Sequence, residues 1–140
     1  HEPAYTQKAW KQGKDDIGDT YVEVDMGEQM MYYYADGILK LETPVVTGNT
    51  SRRMVTPSGV NYVYLKQKNR VLRGPGYASP VDFWMPVKGG IEIHDASWRN
   101  RYGGTIYQTN GSHGCINTPR DVMVELYDSV EVGTPVVMFY

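Results

Sequence analysis

The feature that most constrains this chain is a series of short apolar runs that alternate with polar residues and are separated by glycine and proline. A period of two residues is typical of a β-strand, because successive side chains point to opposite faces. The first such run predicts a half-buried strand beginning at Tyr21. Its two faces carry Val22, Val24 and Met26 on one side and Tyr21, Glu23 and Asp25 on the other.

Turn residues connect these runs. Asp36-Gly37 separates a run that ends at Tyr34 from one that begins at Ile38, and an Asp-Gly pair between two such runs favours a tight hairpin. The twelve tyrosines, fifteen glycines and eight prolines agree with a protein of strands and turns. Further strands are predicted over residues 60–65, 91–94, 105–109 and 136–140, and residues 77–86 form an aromatic run before the turn at Gly89-Gly90.

One segment has the period of a helix. Thr118 and Pro119 are residue types favoured at the N-cap and at the first helical position, and Asp121 would favour the helix dipole. Apolar residues at helical spacing follow, and the helix should end before Gly133. The prediction is a mainly β domain of two packed mixed sheets, sandwich-like, with one helix after the single cysteine.

Length and charge limit the organisation and the partners. The 140 residues suit one domain, with a polar linker or N-terminal extension over residues 1–19 and the folded domain over residues 20–140. A net charge of -2 gives no reason to expect a nucleic acid or an anionic membrane surface as partner. The chain has no signal peptide and no apolar run of the roughly 18 residues that span a bilayer. If it acts outside the membrane, it is therefore a mature form or a fragment.

The only cysteine, Cys115, lies in the segment from Gly111 to Asn117 and is a candidate nucleophile. Only the thiolate attacks, and an ordinary cysteine with a pKa near ~8.5 is mostly protonated at neutral pH, so it needs a base. His113 lies two residues before it, and His94 would have to be brought in by the fold. We place His94 first, because alternation over residues 91–94 directs it, together with Glu92, away from the core.

Gly114 could supply a further part of such a site. Without a Cβ its backbone reaches positive φ and allows a reactant to approach closely. The backbone N–H groups of Gly114 and Cys115 would then form an oxyanion hole. Two other interpretations stay open: a lone cysteine is most often a small buried apolar residue, and a zinc site of His94, His113 and Cys115 is chemically possible.

The motif Ser112-His113-Gly114-Cys115-Ile116-Asn117, preceded by His94, resembles the signature of the L,D-transpeptidases, which cross-link bacterial peptidoglycan. The similarity covers nearly the whole chain from about Tyr21 to Tyr140. It includes the runs Tyr21-Val22-Glu23-Val24-Asp25, Thr43-Pro44-Val45-Val46-Thr47-Gly48, Thr56-Pro57-Ser58-Gly59, Ile93-His94-Asp95 and Gly133-Thr134-Pro135-Val136-Val137.

The resemblance implies a mechanism and a set of site residues. Cys115, deprotonated by His94, would attack the bond between the third residue and D-Ala of a tetrapeptide stem, and an amine of a second stem would resolve the thioester as a 3→3 cross-link. Asp95, or equally a backbone carbonyl, would orient His94. The basic segment over residues 66–76 is either a solvated loop or a flap beside the site. Contacts that shape the site or bind substrate are expected from Ser112, His113, Asn117, Trp98 and Tyr77.

The resemblance also implies partners and a location. Carbapenems would acylate Cys115, and no cofactor or metal is implied. We expect a monomer from a Gram-positive bacterium, facing the cell wall and contributing to wall synthesis, cell shape and β-lactam resistance. Membrane anchoring or secretion would depend on a segment outside this chain. Three rival functions remain: an L,D-carboxypeptidase, a non-catalytic wall-binding module and a zinc-dependent peptidase.

Overall fold

A computed structural model describes residues 17–74 and 76–140, which form nine strands and two helices. The strands are β1 (Tyr21–Asp25), β2 (Met30–Ala35), β3 (Ile38–Pro44), β4 (Gly59–Tyr62), β5 (Gln67–Gly74), β6 (Tyr77–Lys88), β7 (Ile91–Asp95), β8 (Ile116–Thr118) and β9 (Pro135–Phe139). The helices are α1 (Ile106–Asn110) and α2 (Arg120–Ser129). The predicted mainly β class is confirmed. A linker or N-terminal extension was predicted over residues 1–19, and residues 1–16 of it lie outside the described residues.

The strands form two mixed sheets. The first has the order β3-β2-β1-β9-β4 and the second the order β5-β6-β7-β8. β1 pairs with β9 and β7 pairs with β8 in parallel, whereas the other pairs are antiparallel. The main apolar core lies between the sheets. It also includes Met123 and Leu126 of α2 and Val130, which follows that helix.

The hairpin predicted at Asp36-Gly37 is present between β2 and β3. Both turn residues have positive φ, at 52° and 78°, as the tightest hairpin turns require. β1 differs from the prediction, because it is buried on both faces. It lies in the middle of the first sheet, and a second cluster of Tyr21, Tyr32, Tyr34, Val137 and Phe139 covers the face that alternation had assigned to solvent.

Three local predictions are wrong. Residues 106–110 form the short helix α1 and not a strand, and the backbone N–H groups of Thr50 and Ser51 donate to the carbonyls of Tyr107 and Gln108 in this helix. Thr118 is not the N-cap of α2, because it ends β8 and its hydroxyl donates to the carbonyl of Ile116 at 3.3 Å. The basic segment is not a loop, since most of it is the strand β5, paired with β6.

The described helices do not include one that is long and apolar enough to cross a membrane.

Candidate active site

The parallel pairing of β7 with β8 brings the predicted nucleophile and base together. Ile93 lies opposite Ile116 and His94 opposite Asn117, so the start of β8 runs beside His94. The Sγ atom of Cys115, a ring nitrogen of His94 and a carboxylate oxygen of Glu92 all lie within 4.8 Å of one another. The thiol therefore has an imidazole and a carboxylate as neighbours.

The orientation of His94 is set by backbone. Its Nδ1 atom lies 2.7 Å from the carbonyl oxygen of Asp95, which can only accept, so Nδ1 carries the proton and Nε2 is the basic nitrogen. The Asp95 carboxylate instead accepts the backbone N–H groups of Asp82 and Phe83, at 3.0 and 2.7 Å. Of the two alternatives that the sequence left open, the Asp95 carboxylate does not orient His94, and a backbone carbonyl, that of Asp95 itself, does.

Burial controls the charges of both groups at rest. Only 2% of His94 is exposed, and this burial lowers the pKa of its imidazole. Burial, and then the charge of the Glu92 carboxylate, raises the pKa of Cys115 to about 12. Sγ contacts the carbonyl oxygen of Gly90 at 3.5 Å and Oε1 of Glu92 at 3.6 Å. The resting pair is consequently a neutral thiol and a neutral imidazole.

The backbone of the cysteine motif has a conformation that needs glycine. Gly114 has a φ of 122°, and a Cβ on it would meet Cδ1 of Ile91 at 3.1 Å. Its N–H donates to Oγ of Ser112 at 3.1 Å, and that hydroxyl donates to the carbonyl of Cys115 at 2.5 Å. Two backbone N–H groups were predicted to bind the oxyanion. That of Gly114 already donates to Ser112, so the N–H of Cys115 is the remaining donor.

A buried threonine ties the motif to the loop before β4. The Thr56 hydroxyl donates to the carbonyl of Gly114 at 2.6 Å and accepts the N–H of Gly48 at 2.9 Å. Backbone bonds add to this link, with Ser112 donating to Thr47 at 2.9 Å and Asn117 to Val46 at 2.8 Å. The motif is therefore anchored on both sides of the nucleophile.

A cleft of about 410 Å³ opens over the thiol. The predicted contact residues all line it: Ser112, His113, Asn117, Trp98 and Tyr77. The Trp98 side chain is 50% exposed and its ring centroid lies 5.9 Å from that of His94. The rings of Tyr77 and His113 stack at 4.8 Å with 10° between their planes.

The described metal-ligating side chains do not assemble the zinc site of His94, His113 and Cys115 that the sequence left open as an alternative. The group of three donors that comes together contains Glu92, His94 and Cys115, whereas His113 is stacked on Tyr77 outside it. A site with His113 as a ligand is therefore not formed in this structure.

Two charged residues of the cleft were given no role from the sequence. Glu92 could have been found, because it shares one face of β7 with His94. Arg99 had no signal in sequence: its Nη1 donates to the carbonyl of Asn110 at 2.8 Å. With the Asn117 amide assigned so that its oxygen faces the guanidinium, that oxygen accepts from Nε at 2.8 Å and from Nη2 at 3.2 Å. Arg70 and Arg73 of β5 line the same cleft and make its rim basic.

Comparison with known proteins gives a consistent result. Residues 19–138 match the YkuD family, described as the L,D-transpeptidase catalytic domain. A search of curated proteins found no match.

Solved structures with the same fold include several L,D-transpeptidases. A cysteine-to-serine mutant of the Enterococcus faecium enzyme is 49% identical, with a TM-score of 0.82 over 88% of this chain and 50% of that one. The catalytic domain of E. faecium L,D-transpeptidase acylated by ertapenem is 50% identical, with a TM-score of 0.77 over 87% of this chain and 98% of that one. An L,D-transpeptidase from Mycobacterium smegmatis is 26% identical, with a TM-score of 0.75 over 87% and 59%. The chain spans about half the length of the E. faecium mutant.

Proposed function

We propose a function from one premise: the chain belongs to the L,D-transpeptidase catalytic domain family, which matches residues 19–138. The proposed activity is two-step acyl transfer between peptidoglycan stem peptides, with Cys115 as nucleophile and His94 as base. The observation that carries the proposal is the approach of Sγ, the His94 ring and a carboxylate oxygen to within 4.8 Å at the floor of a cleft.

The first step begins from the neutral thiol. Because the pKa of Cys115 is raised to about 12, a free thiolate is scarce, and the proton leaves Sγ for Nε2 of His94 as the sulfur attacks. The target is the carbonyl of the third residue of a tetrapeptide stem. His94 then gives the proton to the departing amine of D-Ala, which leaves a thioester on Cys115. The N–H of Cys115 would stabilise the oxyanion.

The second step returns the free enzyme. A side-chain amine of an acceptor stem attacks the thioester, with a proton passing to His94, and forms a 3→3 cross-link. Hydrolysis of the same thioester would make the protein an L,D-carboxypeptidase instead. A non-catalytic wall-binding module would retain the aromatic cleft walls at Trp98 and Tyr77 but would not need a cysteine beside a histidine.

The charges of the cleft fit a peptide donor that ends in a carboxylate. Arg70, Arg73 and Arg99 line the cleft and would attract the carboxylate of the terminal D-Ala. The same attraction applies to the carboxylate of a carbapenem, and a 50% identical catalytic domain is known acylated by ertapenem. We therefore extend acylation of the cysteine by carbapenems to Cys115. An activity on the stem peptides of the wall supports a location on the outer side of the membrane, facing the cell wall, as part of this proposal.

Mass spectrometry of products tests the proposal. The protein is incubated with tetrapeptide stems, with Cys115→Ala as the control. A stem dimer that lacks one D-Ala, absent with the mutant, is the expected result. Tripeptide alone would favour the carboxypeptidase, and unchanged stems with an unreactive thiol would favour the binding module.

A further inference from the structure

Glu92 is a charged group beside the reacting sulfur for which the mechanism above has no task. It precedes His94 by two residues on β7, so both side chains enter the cleft from the same face of one strand. Its Oε1 atom lies 3.6 Å from Sγ of Cys115. Among the described residues no lysine or arginine lies within ion-pair distance, 4.0 Å, of its carboxylate, although three arginines line the same cleft.

This carboxylate opposes the nucleophile that it contacts. A negative charge next to Sγ disfavours the thiolate and contributes to the raised pKa of Cys115. The opposition ends once the sulfur is acylated, because a thioester carries no charge. The half-buried carboxylate of Glu92 then remains beside the thioester, with no lysine or arginine of the described residues paired to it. Such a charge complements a cationic group that binds next to the acyl-enzyme.

We infer that Glu92 determines the specificity of the second step by binding the ammonium group of the acceptor beside the thioester. The inference rests on the proposed function, in which the acceptor is an amine, and amines of this kind are protonated at neutral pH. Holding the ammonium near the thioester carbonyl raises the local concentration of the amine over that of water. Glu92 thus favours cross-linking over hydrolysis.

The protons balance with Glu92 and His94 acting in sequence. The bound ammonium loses one proton to solvent by way of the Glu92 carboxylate and becomes a neutral amine. Its nitrogen attacks the carbonyl carbon, the C–N bond forms, the C–S bond breaks, and a second proton passes through Nε2 of His94 to the sulfur. The products are the amide and the neutral thiol of Cys115, and one proton is released.

The test compares Glu92→Gln with the wild type, using tetrapeptide stems as donor and two nucleophiles at neutral pH. One nucleophile is a tripeptide stem with a side-chain ammonium, and the other is hydroxylamine, which is uncharged under these conditions. For each, mass spectrometry gives the ratio of aminolysis to hydrolysis product. We expect the ratio with the ammonium acceptor to fall roughly tenfold, the ratio with hydroxylamine to stay within about twofold, and Glu92→Asp to recover part of the loss.

Controls separate this inference from the proposed function. Glu42→Gln removes an exposed carboxylate on β3, outside the cleft, and should behave as wild type. Denaturation midpoints verify that each variant is folded. An unchanged ammonium ratio in Glu92→Gln, or an equal fall with both nucleophiles, overturns the role of Glu92. If the wild type itself forms no amide with any nucleophile, the proposed transpeptidation fails, and the role of Glu92 fails with it.

Discussion

The rings of Tyr77 and His113 lie stacked, with centroids 4.8 Å apart and 10° between their planes. Tyr77 begins β6 and His113 belongs to the cysteine motif, so this contact joins the β5–β6 hairpin to the residues around the nucleophile. Gly74, at the end of β5, lies so close to the Tyr77 ring that a Cβ there would overlap it. The hairpin thus forms one wall of the cleft, and His113 holds it in place.

The stack predicts that His113 acts in binding and not as the base. An aromatic pair contributes about 0.5–1.5 kcal/mol, so His113→Ala should raise KM for the donor stem by roughly three- to tenfold and change kcat little. His113→Phe, which keeps a ring, should restore most of the affinity. Steady-state release of D-Ala measures both constants. A large fall in kcat shared by both variants would instead make His113 the base.

The carboxylate of Asp95 should matter for stability more than for chemistry. It accepts two backbone N–H groups of β6 while the carbonyl of the same residue orients His94. Asp95→Ala leaves those donors unpaired and should lower the free energy of unfolding by about 2–4 kcal/mol. At a temperature where the variant is folded, D-Ala release should stay within about tenfold of the wild type. Denaturant unfolding and the rate assay check the two parts separately, and a normal stability with a large loss of rate would restore the side-chain role.

The lowered pKa of His94 predicts activity that persists in mild acid. The imidazole acts as base when neutral, and burial keeps it neutral below its usual pKa of 6.5. The rate of D-Ala release should therefore reach half of its plateau at a pH below 6.5. A pH–rate profile between pH 5 and 8 measures this limb, with His113→Ala as a variant that should keep the same midpoint. A midpoint above 6.5 would contradict the burial of the base.

The same shift has a consequence for folding. The unfolded chain binds a proton at His94 near pH 6.5, and the folded chain binds it only at lower pH. The unfolded state therefore holds more protons between these values, and the free energy of unfolding should fall as pH drops below about 6.5. His94→Gln should remove this part of the pH dependence, as denaturant titrations at several pH values would detect.

Local patterns predicted the parts of the fold that depend on neighbours in sequence. The Asp36-Gly37 hairpin, the strand of His94 and the apolar stripe of α2 each follow from a turn type or a period of side chains. Prediction was wrong where contacts between residues distant in sequence determine the burial or the conformation of a segment. Alternation suggested a half-buried β1, but the strand lies inside its sheet and apolar clusters cover both of its faces. A β-like stretch forms α1, whose carbonyls accept bonds from residues 50 and 51.

The candidate site shows the same division. The motif around Cys115 and the alternation that aims His94 could be seen in sequence. The identity of the group on Nδ1 could not, because Asp95 offers both a carboxylate and a carbonyl, and only the position of β6 determines which one turns toward the ring. Arg99 depends in the same way on how the strands pack, since its partner Asn117 reaches it only through the pairing of β7 and β8.

Thr56 should prove necessary for the shape of the motif. Its hydroxyl bonds both the carbonyl of Gly114 and the N–H of Gly48, and Thr56→Val would leave these two buried groups unpaired. We expect a loss of about 2–4 kcal/mol in the free energy of unfolding and a slower release of D-Ala. Thr56→Ser keeps the hydroxyl and should recover most of both. A serine variant that loses as much stability and rate as the valine variant would show that the two hydroxyl bonds do not account for the loss.

Gly114→Ala should damage the site through two separable effects. A non-glycine residue at a φ of 122° is strained by about 1–3 kcal/mol, and the added Cβ also meets Cδ1 of Ile91 at 3.1 Å. We expect D-Ala release to fall by roughly a hundredfold, since the carbonyl and N–H of this residue position the nucleophile's loop. Unfolding curves for each variant give the loss of stability. Assays of D-Ala release at equal concentrations of folded protein give the loss of rate.

A second substitution and a matched glycine separate the strain from the contact. Ile91→Val removes the terminal methyl and should return part of the rate to Gly114→Ala, because the overlap is then relieved while the strain of φ persists. Gly133, with a φ of 98° and no atom within 4 Å of a built Cβ, is the matched control: Gly133→Ala should lower stability but leave D-Ala release unchanged. If the valine returns nothing, the backbone conformation of Gly114 alone accounts for the loss.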